Sequence, residues 1–304
     1  MKESVPRPSP VSLLVPIVLA CLSFGCRSTP PPGILHGAPL PIDDARASRV
    51  IDTYLDATAS RNALRGSARV ALSGPDFKLN RPQHIVVERP ARLRFEVIGL
   101  FEQLAAVLVS DGESYGFYDA ATGEMEQGPI TPSLLWELAQ VDVEVSEAVG
   151  ILLGAPRPAA GSLRAAVWGE ANDRIAVAFA NGSRRVRRDC PADPERGWRD
   201  AACFGDAADL AFGGDAFLFD RAGRLVELRA FEAEGTLRYR ARFEEYASLG
   251  EGEDRVEFPK LVTIESPAVQ SQARFAWKRV MLAGELSDRL FRLPERGAGR
   301  GDGW

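Results

Sequence analysis

Apolar and polar positions along this chain follow two periods. Between Asp43 and Ser60 the apolar residues Ala47, Val50, Ile51, Tyr54 and Leu55 recur at helical spacing. Asp43 or Asp44 stands where an N-cap belongs. The stripe predicts one amphipathic helix that needs a partner surface. Beyond it the period becomes two. Ala68, Val70 and Leu72 share one face, Gly74-Pro75-Asp76 is a turn, and residues 77–88 read as a long strand. Leu93, Phe95 and Val97 then alternate with Arg92, Arg94 and Glu96. Residues 104–109 are apolar throughout and run into the hairpin signal Asp111-Gly112, followed by a short strand at 115–118.

Residues 131–153 interrupt this pattern. Thr131-Pro132 opens one short helix, and residues 145–153 form a second that Gly154 and Pro156 stop. Alternation resumes around Val167, residues 175–179, 217–219 and 226–230, and is cleanest where Leu237, Tyr239, Ala241 and Phe243 alternate with three arginines. Further strands are predicted at 261–266, 272–281 and 290–293. The connections are short enough for hairpins, so the pattern predicts an antiparallel meander of about ten or eleven strands. So long and one-sided a sheet must curl. The expected fold is mainly β with a few helices: a strongly curved antiparallel sheet, an unclosed half-barrel, with an N-terminal helix and a central helical lid over its apolar concave face.

The N-terminus has a different character. Lys2 and Arg7 precede an apolar run over residues 13–24. Twelve residues are too few to cross a ~30 Å hydrocarbon core at 1.5 Å per residue, so residues 1–25 read as an export signal. The run ends at Gly25-Cys26, similar to the lipobox of bacterial lipoproteins, in which the cysteine becomes lipid-modified. Cys26 gives the longer apolar run and Cys21, after Val18-Leu19-Ala20, is the alternative. Residues 26–42 are rich in Pro, Ser, Thr and Gly and read as a lipid-anchored tether. Arg27 follows Cys26 in place of the aspartate that retains enteric lipoproteins in the inner membrane, so the resemblance implies outer-membrane sorting. Residues 43–294 are expected to form one domain, with an insertion at 189–207 and a disordered tail at 295–304. Cys190 and Cys203 bracket that insertion. In an exported chain the simplest reading is a disulfide, which by loop entropy stabilises by about 3 kcal/mol.

Composition narrows the chemistry. A net charge of −5 is a poor basis for gripping nucleic acid. With two histidines, His36 and His84, neither a His-based triad nor a His-rich metal site is expected. Neither a phosphate loop nor a nucleophile elbow occurs, so no catalytic residue, metal or cofactor is assigned and the chain is not expected to be an enzyme. The arginines 238, 240 and 242 read as a solvated ridge, or as a contact for anionic headgroups or a partner. The tip between two strands, residues 97–103, carries Ile98, Leu100 and Phe101 where polar turn residues are usual. These three side chains either tuck into the core or form an exposed apolar tip.

Several segments taken together resemble the LolA/LolB family of periplasmic lipoprotein carriers and receptors. Residues 88–95, Glu-Arg-Pro-Ala-Arg-Leu-Arg-Phe, are similar to the family's "RP" strand, and Gly99-Leu100-Phe101 falls where the LolB branch has its protruding loop. Residues 131–138 and 148–156 resemble the lid, with its leucine-glycine-proline knuckle, and Phe243-Glu-Glu-Tyr246, Phe258-Pro259-Lys260 and residues 290–294 resemble the late strands. The lipobox sides with LolB, which is itself lipidated. The resemblance implies an outer-membrane-anchored monomer facing the periplasm, which receives lipoproteins, with a periplasmic LolA-like carrier as their source, and helps insert them. Acyl chains of client lipoproteins would lie on a face built from Leu93, Phe95, Val107, Phe217, Val226, Leu228, Tyr239, Phe243, Phe275 and Trp277. Leu135, Trp136, Ile151 and Leu152 would form the lid, and Ile98, Leu100 and Phe101 the loop that meets membrane or client. The alternative is a structural or assembly lipoprotein of the same fold whose role is protein contact.

Overall fold

The computed structural model describes residues 37–159, 161–181, 199, 201–250 and 255–293. Helix α1 (Ala45–Thr58) forms on the predicted stripe. The Asp44 carboxylate caps it, accepting from the Arg46 backbone N–H at 2.8 Å. Its inner face buries Ala47, Ile51, Tyr54 and Leu55.

Among the described residues fourteen strands form one sheet. They are β1 (Ala38–Leu40), β2 (Ala63–Ser73), β3 (Lys78–Glu88), β4 (Arg92–Ile98), β5 (Leu104–Asp111), β6 (Ser114–Asp119), β7 (Met125–Pro129), β8 (Leu163–Glu170), β9 (Arg174–Ala180), β10 (Gly214–Phe219), β11 (Leu225–Phe231), β12 (Leu237–Leu249), β13 (Val256–Ser266) and β14 (Ser271–Ala283). The spatial order is β1-β8-β9-β10-β11-β12-β13-β14-β2-β3-β4-β5-β6-β7, antiparallel throughout. β1 and β7 are the two edges and do not pair, so the half-barrel is unclosed, as the patterning predicts. Neighbouring strands are consecutive in sequence except where β1 meets β8 and where β14 meets β2, with Phe275 opposite Val70.

The strand count exceeds the expected ten or eleven. β1 lies in the segment read as tether and pairs with β8, Leu40 opposite Val167, while β7 is a polar edge strand without an apolar signal. In the other direction, residues 290–293 are not a strand. The chain makes a 3-10 turn at Asp288–Phe291 and packs across the outer face of β4. Phe291 is buried there beneath the Arg92 guanidinium, 4.2 Å from its ring centre. Arg94 donates to the carbonyls of Leu290 and Arg292 at 3.1 and 3.0 Å, so a side chain satisfies groups that a strand would have paired.

Helices α2 (Leu134–Ala139) and α3 (Val145–Leu152) cover part of the inner face. α2 starts after Ser133, two residues later than Thr131 predicted. α3 opens with a capping box in which Glu144 and Glu147 each accept the other's backbone N–H. It ends at Gly154, whose φ of +60° is left-handed and where a Cβ would lie 2.8 Å from Pro259. The knuckle that follows is strapped down. Buried Arg61 donates to the Gly154 carbonyl at 2.8 Å and to the Glu257 carbonyl, Arg89 donates to the Ala155 carbonyl, and the Tyr54 hydroxyl donates to the Pro156 carbonyl at 2.7 Å.

Strands β8–β10 are buried on both faces along most of their length. Ile175, Val177, Phe179, Phe217 and Phe219 join the main core beneath the helices. Ala176, Ala178, Ala216 and Leu218 join a second cluster outside, beneath Leu210 of the turn Ala207–Phe212. The arginines of β12 do not form one ridge. Arg240 and Arg242 both pair with Glu265 of β13, whereas Arg238, beside the bulge opposite Ala230 and Phe231, pairs with Glu147 of α3.

Candidate functional site

The two ends of the inner face differ. Against β9–β11, helix α1 and a run of aromatic rings fill the space. Tyr54 meets Phe219 edge-on at 5.2 Å, and Phe179 meets Phe217 at 5.6 Å. Against β2–β6 the face is hollow. A cavity of about 400 Å³, open on one side, lies between these strands and helices α2 and α3. That is within the ~300–1,000 Å³ of small-molecule sites. Val70, Leu72, Phe95, Val97, Leu108 and Phe117 line it from the strands, and Leu135, Leu138, Ala148 and Leu152 from the helices. Phe95 and Phe275 flank each other with ring centroids 6.4 Å apart. Among the lining residues only Gln83 and Asp119 carry polar side chains. The Asp119 carboxylate accepts the Ala121 N–H at 2.7 Å, a turn at the rim.

Phe95 and Phe275, expected to line an acyl site, and Leu135 and Leu152, expected to form its lid, meet at this cavity. Leu93, Phe217, Phe243 and Trp277 are buried in the same inner core but not on the cavity wall. Val107 and Val226 point the other way. Val107 stands opposite Glu96 and Tyr118, so it shares their outer face, while its neighbours Ala106 and Leu108 face the cavity. Val226 packs with the outer cluster. Of the expected lid residues, Ile151 is buried in the core and Trp136 is half-buried off the cavity wall. The wall residues missed from sequence include Val70, Leu72 and Val97, which carry the same period-two signal as those chosen, and Leu108, which lies in a run that is apolar throughout.

The 98–103 tip closes with the Gly99 N–H donating to the Gln103 carbonyl at 2.8 Å. Phe101 there is left-handed, φ 57°, and 87% exposed. Ile98 is half-buried, and the Leu100 side chain lies outside the described residues. Cys21, Cys26 and Cys190 also lie outside them, while Cys203 is fully buried.

Helix α3 separates the apolar cavity from a second, polar one of about 740 Å³. Ala148 and Leu152 face the first, and Glu144, Glu147 and Gly150 face the second. Expected acyl-site residues Leu228 and Tyr239 lie on the polar side. Burial pushes the Asp215 carboxyl up to about 7, against the hydrogen bond from Asn181 at 3.1 Å that opposes the shift. Burial also raises Glu147, outweighing its ion pair with Arg238, and raises the Tyr239 hydroxyl well above its ordinary value. Among the described residues no group of three His, Cys, Asp or Glu side chains could hold a metal, and no helix is long and apolar enough to cross a membrane.

No family model matches the chain, and neither does any curated protein. Solved structures similar to it include a LolA superfamily protein from Nitrosomonas europaea, at 8% identity and TM-score 0.49, covering 81% of this chain and 97% of that one. A putative outer membrane lipoprotein-sorting protein domain from Vibrio parahaemolyticus is similar at 10% identity and TM-score 0.46, again over 81% and 97%. The Mycobacterium tuberculosis lipoprotein LppX is similar at 12% identity and TM-score 0.27, over 79% and 100%. Likenesses at this level carry no function from one chain to another.

Proposed function

We propose that this chain binds acyl chains in the apolar cavity and, anchored through Cys26, faces the periplasm from the outer membrane, where it helps receive or insert lipoproteins. The supporting observation is the cavity itself. Roughly 400 Å³ bounded by side chains of which all but two are apolar is poorly suited to water and well suited to hydrocarbon. Removing an acyl chain from water gains ~0.8 kcal/mol per CH₂, so even a loosely fitting pocket holds one. Phe101, exposed at the tip of the β4–β5 hairpin, supplies an apolar point of contact with lipid or client. A periplasmic carrier would hand lipoproteins to this face.

Purified full chain, extracted and analysed by mass spectrometry, should yield bound acyl lipid. Ala106→Trp, which fills the cavity from β5, should abolish that lipid while the chain stays folded. Cys26→Ser should release the protein from the membrane fraction with its cavity still loaded. Wild-type protein that carries no lipid and takes up no added fatty acid would sink the proposal.

A further inference from the structure

Gln83 lies on β3 in the wall of the apolar cavity and is 4% exposed. Its side-chain amide makes no hydrogen bond to any described residue. The register explains this. Directly opposite stand Ala68 on β2 and Val97 on β4. The diagonal neighbours within reach are Gly66, Val70, Phe95 and Gly99. None has a polar side chain. Ile85 and Val87, on the same face of β3, are buried in the main core, so Gln83 occupies a position whose period calls for an apolar residue. The amide keeps its accessible surface on the cavity side, so its hydrogen-bonding capacity is left for whatever occupies the cavity.

We propose that Gln83 is a polar recognition point inside the cavity: its Nε2–H donates to the carbonyl oxygen of an acyl ester or acyl amide, whose chain then runs past Val70, Phe95 and Phe275. The inference rests on the cavity being an acyl site and deepens it. It names the ligand class as acylated amphiphiles whose linkage carbonyl enters the cavity, and sets these apart from plain hydrocarbons. Asp119, fixed by its own turn at the rim, does not duplicate the role.

The test measures displacement of a naphthylamine fluorophore from the full chain by methyl laurate, N-methyl lauramide and an n-alkane of equal length. Wild type should bind the ester and the amide more tightly than the alkane. Gln83→Leu should lose roughly five- to tenfold in affinity for ester and amide and none for the alkane, the scale of one hydrogen bond. It should also melt no lower than wild type, since that amide makes no hydrogen bond to a described residue. Equal losses for all three ligands, or an undiminished preference for the carbonyl compounds, would overturn the proposal. If Gln83→Leu does not fold, Gln83→Met is judged by the same criteria. Should wild type bind none of the three, it is the acyl reading of the cavity that fails. Should it bind all three equally, with Gln83→Leu unchanged, only the role of Gln83 fails.

Discussion

The two ends of the inner face are made of the same kind of strands and end in opposite states. At β9–β11, Phe179, Phe217 and Phe219 meet helix α1 and leave no room. At β2–β6, Val70, Phe95 and Leu108 are as apolar, yet α2 and α3 stand off and leave a cavity. What differs is the cover. α1 is fourteen residues long and lays a full stripe on the sheet, whereas α2 has six residues and α3 turns its polar edge toward Arg238. A hollow of this kind is a property of how helices are hung over a sheet.

The sharpest way to break the contrast is truncation at each end. Phe217→Ala, at the packed end, should cost about 3–5 kcal/mol by chemical denaturation. Phe95→Ala only enlarges an existing hollow and should cost less than half as much, while weakening lipid binding. Equal costs would mean that the cavity is closed up in solution.

Next in size is a pH effect confined to the polar side of α3. In the native chain Asp215 keeps its proton up to about 7, whereas the unfolded chain releases it near 3.8. Between these values the native state binds more protons, so the Asp215 contribution to stability falls as pH rises from about 4 to about 7. Asp215→Asn removes that loss. Relative to wild type it should gain up to roughly 4 kcal/mol by pH 8 and little at pH 4. Urea titrations at several pH values check this, and a difference that does not change with pH would place Asp215 in a wetter setting than its burial implies.

The smallest effect on stability is expected at the hairpin tip. Leu100→Glu combined with Phe101→Glu should change the unfolding free energy by no more than about 0.5 kcal/mol, as the exposure of Phe101 leads one to expect for the tip, yet abolish delivery of a bound lipoprotein to the membrane. A double variant that fails to accumulate would assign the tip to the core. A stable one with normal delivery would leave the tip without a role in transfer.

Much of the architecture was legible because local patterns agree with it. The stripe Ala47, Ile51, Tyr54 and Leu55, the Asp44 cap and the Gly154-Pro156 stop all stand where the sequence places them. The cavity was legible only in kind. In residues 104–109 the alternation is lost, because β5 is buried on both sides: by the cavity wall within and by the C-terminal segment without. Nothing local tells Val107 from Leu108. Val226 was misplaced for another reason: Glu227 stands opposite Leu218 and Leu225 opposite Phe219, so the period slips at Val226, which then packs with the outer cluster. Which end of the inner face is hollow depends on where the helices lie, and that is set by contacts such as Arg61 to Gly154, far apart in sequence.

The pairing of β2 with β14 has a consequence for how the chain acquires its cavity. Val70 and Phe275 face each other across that seam and both line the hollow, yet about 200 residues of chain separate them. Contacts so distant form late, after the loop-closure entropy has been met, and leave apolar strand faces uncovered in the meantime. A chain emerging from its N-terminus would present β2–β6 as an open apolar sheet for as long as β14 is still to come. The hollow is therefore complete only when β14 has paired with β2, so its filling by an apolar probe would report closure of that seam.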